Sequence, residues 1–163
     1  MDGRRVIAKI VETEAYDQTD AASHSYSGQS ARNAVMFGPA GRLYVYLSYG
    51  IHHCANVVCG PEGFGAGALI RAVEPIAGFE VLRQRRPDVK DEMISNGPGK
   101  LTKALGIDFD LLGHDLTLSP LRLSAGETVS DDDVAVTTRI GISKEKDRLR
   151  RFYLKSSKCV SRR

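Results

Sequence analysis

The chain has 163 residues, of which 42% are hydrophobic and 26% are charged, and these values are ordinary for one globular domain with a hydrophobic core. Its apolar stretches are short and interrupted, which excludes a transmembrane helix. An odd count of three cysteines and an N-terminus without an export signal exclude a disulfide framework, and they indicate a soluble protein of the cytoplasm.

The net charge of +3 is distributed unevenly along the chain. Residues 139–163 carry ten Lys/Arg against two acids, a net +8, whereas residues 104–138 carry seven acids against one arginine, a net −6. A basic segment on a near-neutral body suits a polyanionic partner. A solvated charged terminus explains the same pattern, so charge alone leaves the partner open.

The first predicted element is a strand over residues 6–16, where apolar and polar side chains alternate. Residues 17–34 are rich in Asp, Ser, Gly and Gln, which is typical of a loop. Strand-like residues 43–48 and 54–59 follow. They predict a β-hairpin with its tip near residues 50–53.

The rest of the chain continues the mixture of strands and helices. The predicted elements are a strand over residues 66–73 that ends at Glu74 and Pro75, helices over residues 79–86 and 100–105, turns and short strands over residues 106–138, and two final strands over residues 140–142 and 152–154. No internal repeat or low-complexity linker divides the sequence. We therefore expect residues 1–163 to form one mixed α/β (α+β) domain with a mostly antiparallel sheet.

Candidate chemistry begins on the first strand, at Glu12-Thr13-Glu14-Ala15-Tyr16. Glu14 and Tyr16 project from the same face because side chains alternate along a strand. A carboxylate beside an aromatic ring at the end of an apolar strand suggests a functional site. An edge strand with solvated acids is the alternative, and this pentapeptide alone does not decide between them.

The predicted hairpin carries three of the six tyrosines. Tyr44 and Tyr46 share a face, where cross-strand packing is the usual role of an aromatic residue. Tyr49 lies at the turn, beside Gly50, where a core contact is harder to envisage. Such a ring could insert between base pairs, as apolar side chains of minor-groove proteins do.

Residues that could ligate a metal are present without the usual spacing. His24, His52, His53, Cys54 and Cys59 lack the paired spacing of zinc sites, and the zinc deaminase signature is absent. The Gly-Pro-Gly-Lys stretch at residues 97–100 lacks the P-loop pattern; its helix start could still offer amides to a phosphate, or it could be a plain helix start. We expect no metal and no cofactor.

Ten sequence blocks resemble the alkyladenine (3-methyladenine) DNA glycosylase family in order and approximate spacing. One block would be weak evidence, but ten in succession across roughly residues 4–154 are specific. The blocks are VETEAY (11–16), ASH (22–24), RN (32–33), MFG (36–38), LYVY (43–46), YG (49–50), NVV (56–58), LIRA (69–72), EP (74–75) and GPGKL (97–101).

The resemblance implies three catalytic positions. Glu14 is similar to the general base that activates the attacking water. Arg71 resembles the residue that helps to hold this water, and Ile140 resembles the donor of a backbone carbonyl to it. Because no lysine adjoins Glu14 in the sequence, the resemblance implies a monofunctional enzyme without a Schiff-base step.

The resemblance also implies where the base and the duplex bind. Tyr16, His24 and Tyr46 are similar to the walls that stack on a flipped base, and Asn56 to the residue that excludes the 2-amino group of normal guanine. Tyr49 resembles the residue that fills the gap in the duplex. The further DNA contacts implied are Ile51, His52, Arg32 and Met36.

The implied function is base-excision repair of DNA. The expected reaction is hydrolysis of the N-glycosidic bond of alkylated purines, namely 3-methyladenine and 7-methylguanine with hypoxanthine as a further candidate, flipped out of duplex DNA. The resemblance implies a monomer that binds the minor groove through a protruding hairpin, in the cytoplasm or, in a eukaryote, the nucleus. The expected fold is a curved sheet similar to the C-terminal domain of methionyl-tRNA formyltransferase. A non-catalytic nucleic-acid-binding domain of this architecture stays open as the alternative.

Three features depart from the family pattern. The chain begins almost at the first strand, which suggests that an N-terminal helical segment is lacking. The loop between Tyr16 and His24 is one residue shorter than usual, and Arg150 stands where the family usually has tryptophan.

Overall fold

Within residues 4–162, which the computed structural model describes, six strands form one antiparallel sheet. The strands are β1 (Ile7–Asp17), β2 (Leu43–Ser48), β3 (His52–Val58), β4 (Ala66–Ala77), β5 (Val134–Thr137) and β6 (Arg151–Leu154). Their order across the sheet is β2-β3-β4-β1-β6-β5. Two helices accompany them, α1 (Phe79–Arg85) and α2 (Pro98–Leu105). The prediction of a mixed α/β domain with a mostly antiparallel sheet is confirmed.

The long pair β1–β4 forms the centre of the sheet, and β4 is longer than predicted. The sequence suggested that the strand ends at Glu74 and Pro75, whereas it continues to Ala77. Pro75 lies opposite Ala8, beside a register shift between Ile7 and Ala8. A proline without an N–H is tolerated at such an irregularity because the ladder is already interrupted there.

The hairpin β2–β3 is confirmed, but its tip lies earlier than predicted. Ser48 pairs with His52, so the turn consists of residues 49–51, and His52 and His53 belong to β3. Tyr49 and Gly50 both have left-handed backbone conformations, with φ of 51° and 73°. These two residues reverse the chain.

The prediction of a strand over residues 140–142 is wrong. The edge strand beside β6 is β5, which begins six residues earlier, within the region expected to hold turns and short strands. Gly141 has a φ of 75°, and the Ile140 amide donates to a side chain instead of to a neighbouring strand. A residue whose N–H is directed this way cannot continue a ladder.

Both helices are confirmed near their predicted bounds. α2 begins at Pro98, where the missing N–H is not needed, and is followed by Gly106 with a φ of 71°. Gly99 allows α2 to approach β3, since a Cβ at that position would lie 2.8 Å from the Cβ of His52. No helix among residues 4–162 combines the length and apolar character needed to cross a bilayer.

The two faces of the hairpin pack differently. Leu43 and Val45 face a core cluster with Ala55, Ile107 and Leu116. The alternate residues, Tyr44 and Tyr46, lie on the other face, where a second cluster forms around Met36, Phe37, Tyr44 and Val58. The predicted common face of Tyr44 and Tyr46 is confirmed by their stacked rings, whose centroids are 5.9 Å apart.

Candidate active site

The strand register brings the candidate residues together. Tyr44 pairs with Asn56 across the hairpin, Asn56 pairs with Leu69 of β4, and Leu69 pairs with Glu14 of β1. Directly paired residues project from the same side of a sheet. A tyrosine, an amide and a carboxylate from distant parts of the sequence therefore lie in one row on one face.

Glu14 is fully buried, and its carboxylate is surrounded by donors. The Tyr16 hydroxyl donates to Oε2 at 2.8 Å, which confirms the predicted common face of these two residues. The Ile140 amide donates to Oε1 at 2.8 Å. The guanidinium of Arg71 lies 3.2 Å from the same oxygen. These groups replace water around the carboxylate and hold it in one orientation.

Tyr16 donates as a neutral phenol. Burial, followed by the charge of Glu14 and the hydrogen bond to it, raises the pKa of Tyr16 well above its ordinary value of 10.0. The Arg139 guanidinium lies over the Tyr16 ring, 4.5 Å from its centroid. Its partner Asp20 is also fully buried, so this cation is neutralised. The ring is thereby fixed on one side and faces the cavity on the other.

A small cavity lies beside Tyr16, whose hydroxyl donates to Glu14. Its walls are Tyr16, Ala22, Ser23, His24, Met36, Tyr44, Tyr46 and Asn56. The His24 and Tyr46 rings meet edge to face with centroids 4.5 Å apart, and His24 Nδ1 lies 3.1 Å from the Tyr44 hydroxyl. Burial and then the charge of Arg32 lower the pKa of His24 below 6.5, so its ring is neutral at pH 7. The aromatic part of the wall is therefore uncharged.

Asn56 lies at the floor of this cavity and is 4% exposed. Its Nδ2 donates to the backbone oxygen of Tyr44 at 3.3 Å. This hydrogen bond fixes the orientation of the amide, so one defined polar group faces whatever enters.

The turn of the hairpin is exposed, as predicted for Tyr49. Tyr49 is 86% exposed and Ile51 is 72% exposed, and Arg32 and His52 are also exposed. Met36, in contrast, is 3% exposed and lies in the wall of the cavity. The structure thus places Met36 in the wall of the cavity and the other candidate DNA contacts at the surface.

The basic C-terminal segment is only partly available to a partner. Arg139 pairs with Asp20, Arg150 with Asp17 at 2.7 Å, and Arg151 with Glu12 at 2.7 Å. Arg139 and Arg151 are 6% and 4% exposed. The expectation of a basic surface therefore needs correction, because these arginines balance acids of β1 and of the loop that follows it, of which Glu12 and Asp20 are buried.

Sequence reasoning missed the acids that receive these arginines, Glu12 and Asp20. Alternation along β1 does place Glu12 on the same face as Glu14, and this pattern could have indicated that Glu12 lies near the site. The partner of Asp20 lies 119 residues away, and no local pattern indicates such a pair. In the part of the chain that the structure describes, no group of three His, Cys, Asp or Glu residues is arranged to hold a metal ion.

Comparison with known proteins identifies the family of this chain. The model of the methylpurine-DNA glycosylase family matches residues 1–158. A protein of Carboxydothermus hydrogenoformans named "Putative 3-methyladenine DNA glycosylase" is 49% identical over 163 residues, covering 99% of this chain and 85% of the relative. A protein of Methanoculleus marisnigri with the same name is 48% identical over 158 residues, covering 95% of this chain and 82% of the relative. The family resemblance seen in the sequence is confirmed, and the chain belongs to the methylpurine-DNA glycosylase family.

Proposed function

We propose that the protein is a DNA glycosylase of base-excision repair, which hydrolyses the N-glycosidic bond of alkylated purines. The observation that carries this proposal is the buried Glu14 carboxylate, held by three donors beside an aromatic cavity. A module that only bound DNA would gain nothing from a buried negative charge facing a polyanion. The proposed substrates are 3-methyladenine and 7-methylguanine, with hypoxanthine as a further candidate.

Glu14 is the proposed general base. It accepts a proton from a water molecule whose oxygen bonds to C1′ of the sugar, while the glycosidic bond breaks and its electron pair leaves with the base. The carboxylate also stabilises the positive charge that develops on the sugar. Arg71 and the backbone at Ile140, both in contact with Glu14, are proposed to orient this water.

The cavity is proposed to receive the flipped base. Aromatic faces recover part of the few kcal/mol that unstacking costs. An alkylated purine that carries a positive charge gains cation–π attraction from Tyr16 and Tyr46. The neutral ring of His24 adds no charge repulsion. Asn56 is proposed to reject ordinary guanine by crowding its 2-amino group.

Entry of a base requires the cavity to widen. Its volume is about 40 Å³, far below the roughly 300 Å³ or more of typical small-molecule pockets. The His24 and Tyr46 rings, with centroids 4.5 Å apart, leave no room for a base between them. We propose that His24 moves away from Tyr46, so that the base is held between His24 and Tyr16.

Tyr49 is proposed to occupy the gap that the flipped nucleotide leaves. Its ring stands at the exposed turn of the hairpin, and Ile51, His52 and Arg32 provide neighbouring contacts to the minor groove. A monomer suffices for this mode of binding. Such an enzyme works where genomic DNA is found, in the cytoplasm of a bacterium or archaeon or in a eukaryotic nucleus.

The proposed fold relationship to the C-terminal domain of methionyl-tRNA formyltransferase suggests a competing function, nucleic-acid binding without catalysis. The test is incubation of the purified protein with methylated duplex DNA. We expect free 3-methyladenine and 7-methylguanine, together with abasic sites that become strand breaks only after alkali. Binding without release of bases would support the competing function. Breaks without alkali would contradict a monofunctional reaction.

A further inference from the structure

Glu12 is a second buried carboxylate on β1, two residues before Glu14 and 1% exposed. Its Oε1 accepts hydrogen bonds from Arg71 Nε at 3.0 Å, Arg151 Nε at 2.7 Å and Ser161 Oγ at 2.8 Å. Its Oε2 accepts one from the Ser161 amide at 2.6 Å. None of these donors lines the aromatic cavity, whereas Tyr16, a donor to Glu14, does, so Glu12 is not the proposed base.

Arg71 connects Glu12 to Glu14. Its Nε donates to Glu12, its Nη2 lies 3.4 Å from Ser161 Oγ, and its Nη1 lies 3.2 Å from Glu14 Oε1. A guanidinium is planar and its donors have a fixed geometry. Anchoring Nε and Nη2 therefore determines where Nη1 points.

The charges of this cluster balance. Glu12 and Glu14 face Arg71 and Arg151, all four of them buried. Without the charge of Glu12, both guanidiniums would have Glu14 as their nearest acid in this cluster. Arg71 could then turn and form a two-pronged pair with Glu14, since this is the preferred geometry of an arginine and a carboxylate. Glu14 would lose the acceptor capacity that a base needs.

We infer that Glu12 is a positioning residue for base release: it holds Arg71 in a single contact with Glu14. Ser161 completes this arrangement, because its amide and hydroxyl both bind Glu12. The adjacent residues Cys159 and Val160 are buried, which fixes Ser161 in place. This role rests on the proposed function of Glu14 as the base.

The test compares Glu12→Gln with a matched control, Glu74→Gln. Glu74 also receives a serine hydroxyl from the C-terminal segment, Ser157 Oγ at 2.6 Å, and none of its hydrogen bonds involves Arg71. Single-turnover release, affinity for a lesion-containing duplex, and the thermal midpoint are measured for each protein. We expect Glu12→Gln to lower the release rate on the order of 100-fold, as misplacement of a catalytic group does. Affinity should be retained, and Glu74→Gln should release bases at the wild-type rate.

A double-mutant cycle separates positioning from general support of the fold. If Glu12 acts through Arg71, Glu12→Gln should add little further loss in an Arg71→Gln background. Ser161→Ala removes the hydroxyl but keeps the backbone amide, so it should also slow base release, by a smaller factor than Glu12→Gln. This milder variant decides the question if Glu12→Gln does not fold.

Opposite results would overturn the inference. The first is a wild-type release rate in Glu12→Gln or, if that variant does not fold, in Ser161→Ala. The second is full additivity of the losses caused by Glu12→Gln and Arg71→Gln. The third is a loss of rate in Glu74→Gln equal to that in Glu12→Gln. A wild-type protein that releases no base would instead contradict the proposed function, before any variant is compared.

Discussion

Glu14 is the residue on which the proposed chemistry depends, and its burial has a cost. Removing an ion from water costs several kcal/mol unless charges and donors replace the solvent. Arg71, Tyr16 and the Ile140 amide provide that replacement here. Because a high pKa keeps the Tyr16 hydroxyl protonated, this donor persists at any physiological pH.

Asn56 offers a test of specificity at a single residue. Its amide is held by the backbone oxygen of Tyr44 and faces the cavity. Asn56→Ser removes the group that would crowd the 2-amino substituent, so we expect release of ordinary guanine relative to hypoxanthine to rise roughly tenfold. Both rates are measured in one protein preparation, so hypoxanthine release serves as the control. An unchanged ratio would refute this role.

Asp17 provides a prediction about pH. Burial raises the pKa of Asp17, but hydrogen bonds from Thr19 and Arg150 outweigh it and hold the pKa below the ordinary 3.8. A carboxyl group whose pKa is lower in the folded than in the unfolded state stabilises the folded protein at pH values above the unfolded-state pKa. This stabilisation is lost as the pH falls through the folded-state pKa. The stability difference between wild type and Asp17→Asn, about 1 kcal/mol at pH 7, should therefore decrease as the pH falls below 3.8. Urea denaturation at several pH values measures it; a difference that persists at acid pH would contradict the prediction.

In the β2–β3 hairpin, the residue with a strained backbone is also the residue proposed to fill the gap in the DNA duplex. Tyr49 adopts a φ of 51°, which a residue other than glycine occupies at a cost of about 1 kcal/mol. Tyr49→Ala and Tyr49→Gly both remove the ring, so both should slow release from a paired lesion more than from a bulged one, where the base is already unstacked. Tyr49→Gly should also be about 1 kcal/mol more stable than Tyr49→Ala.

Single-turnover rates in paired and bulged contexts, with urea denaturation, test both parts. Equal loss of activity in the two contexts would assign Tyr49 to the pocket or the fold. Equal stability of the two variants would show that the turn is not strained.

Strands that are marked by local alternation of apolar and polar side chains were predictable from the sequence. β1, the hairpin and the aromatic face of Tyr44 and Tyr46 followed from the period of two. The extension of β4 past Pro75 was not predictable, because it depends on an irregularity in the pairing of β4 with β1. Residues 140–142 form a loop because the Ile140 amide binds Glu14. This contact spans 126 residues of sequence, so no local pattern indicates it.

On the scale of the whole molecule, basic residues of the C-terminal segment include a paired group and an exposed group. Arg139, Arg150 and Arg151 pair with acids near the N-terminus and so join the two ends of the chain. Lys144 and Lys146 are exposed and follow the Ile140 loop. The second group is therefore the better candidate for contact with phosphates.

Charge reversal distinguishes the two groups. Lys144→Glu with Lys146→Glu should weaken binding to all duplex sequences alike and reduce the slope of log K against log salt by about 0.9 per lost phosphate contact. Its thermal midpoint should stay at the wild-type value. Arg151→Glu should instead lower the free energy of unfolding by about 3 to 5 kcal/mol, because it leaves Glu12 opposite another acid. Unchanged salt dependence in the lysine variant would place the phosphate contacts elsewhere.

The role of Glu14 is tested most directly by Glu14→Gln, with base release and DNA binding measured on the same lesion-containing duplex. The amide keeps the shape of the side chain but cannot accept a proton from water. We expect single-turnover release to fall by about two to four orders of magnitude, while affinity for the duplex is kept or increased. A Glu14→Gln protein that releases the base at a near-normal rate would contradict the assignment of Glu14 as the general base.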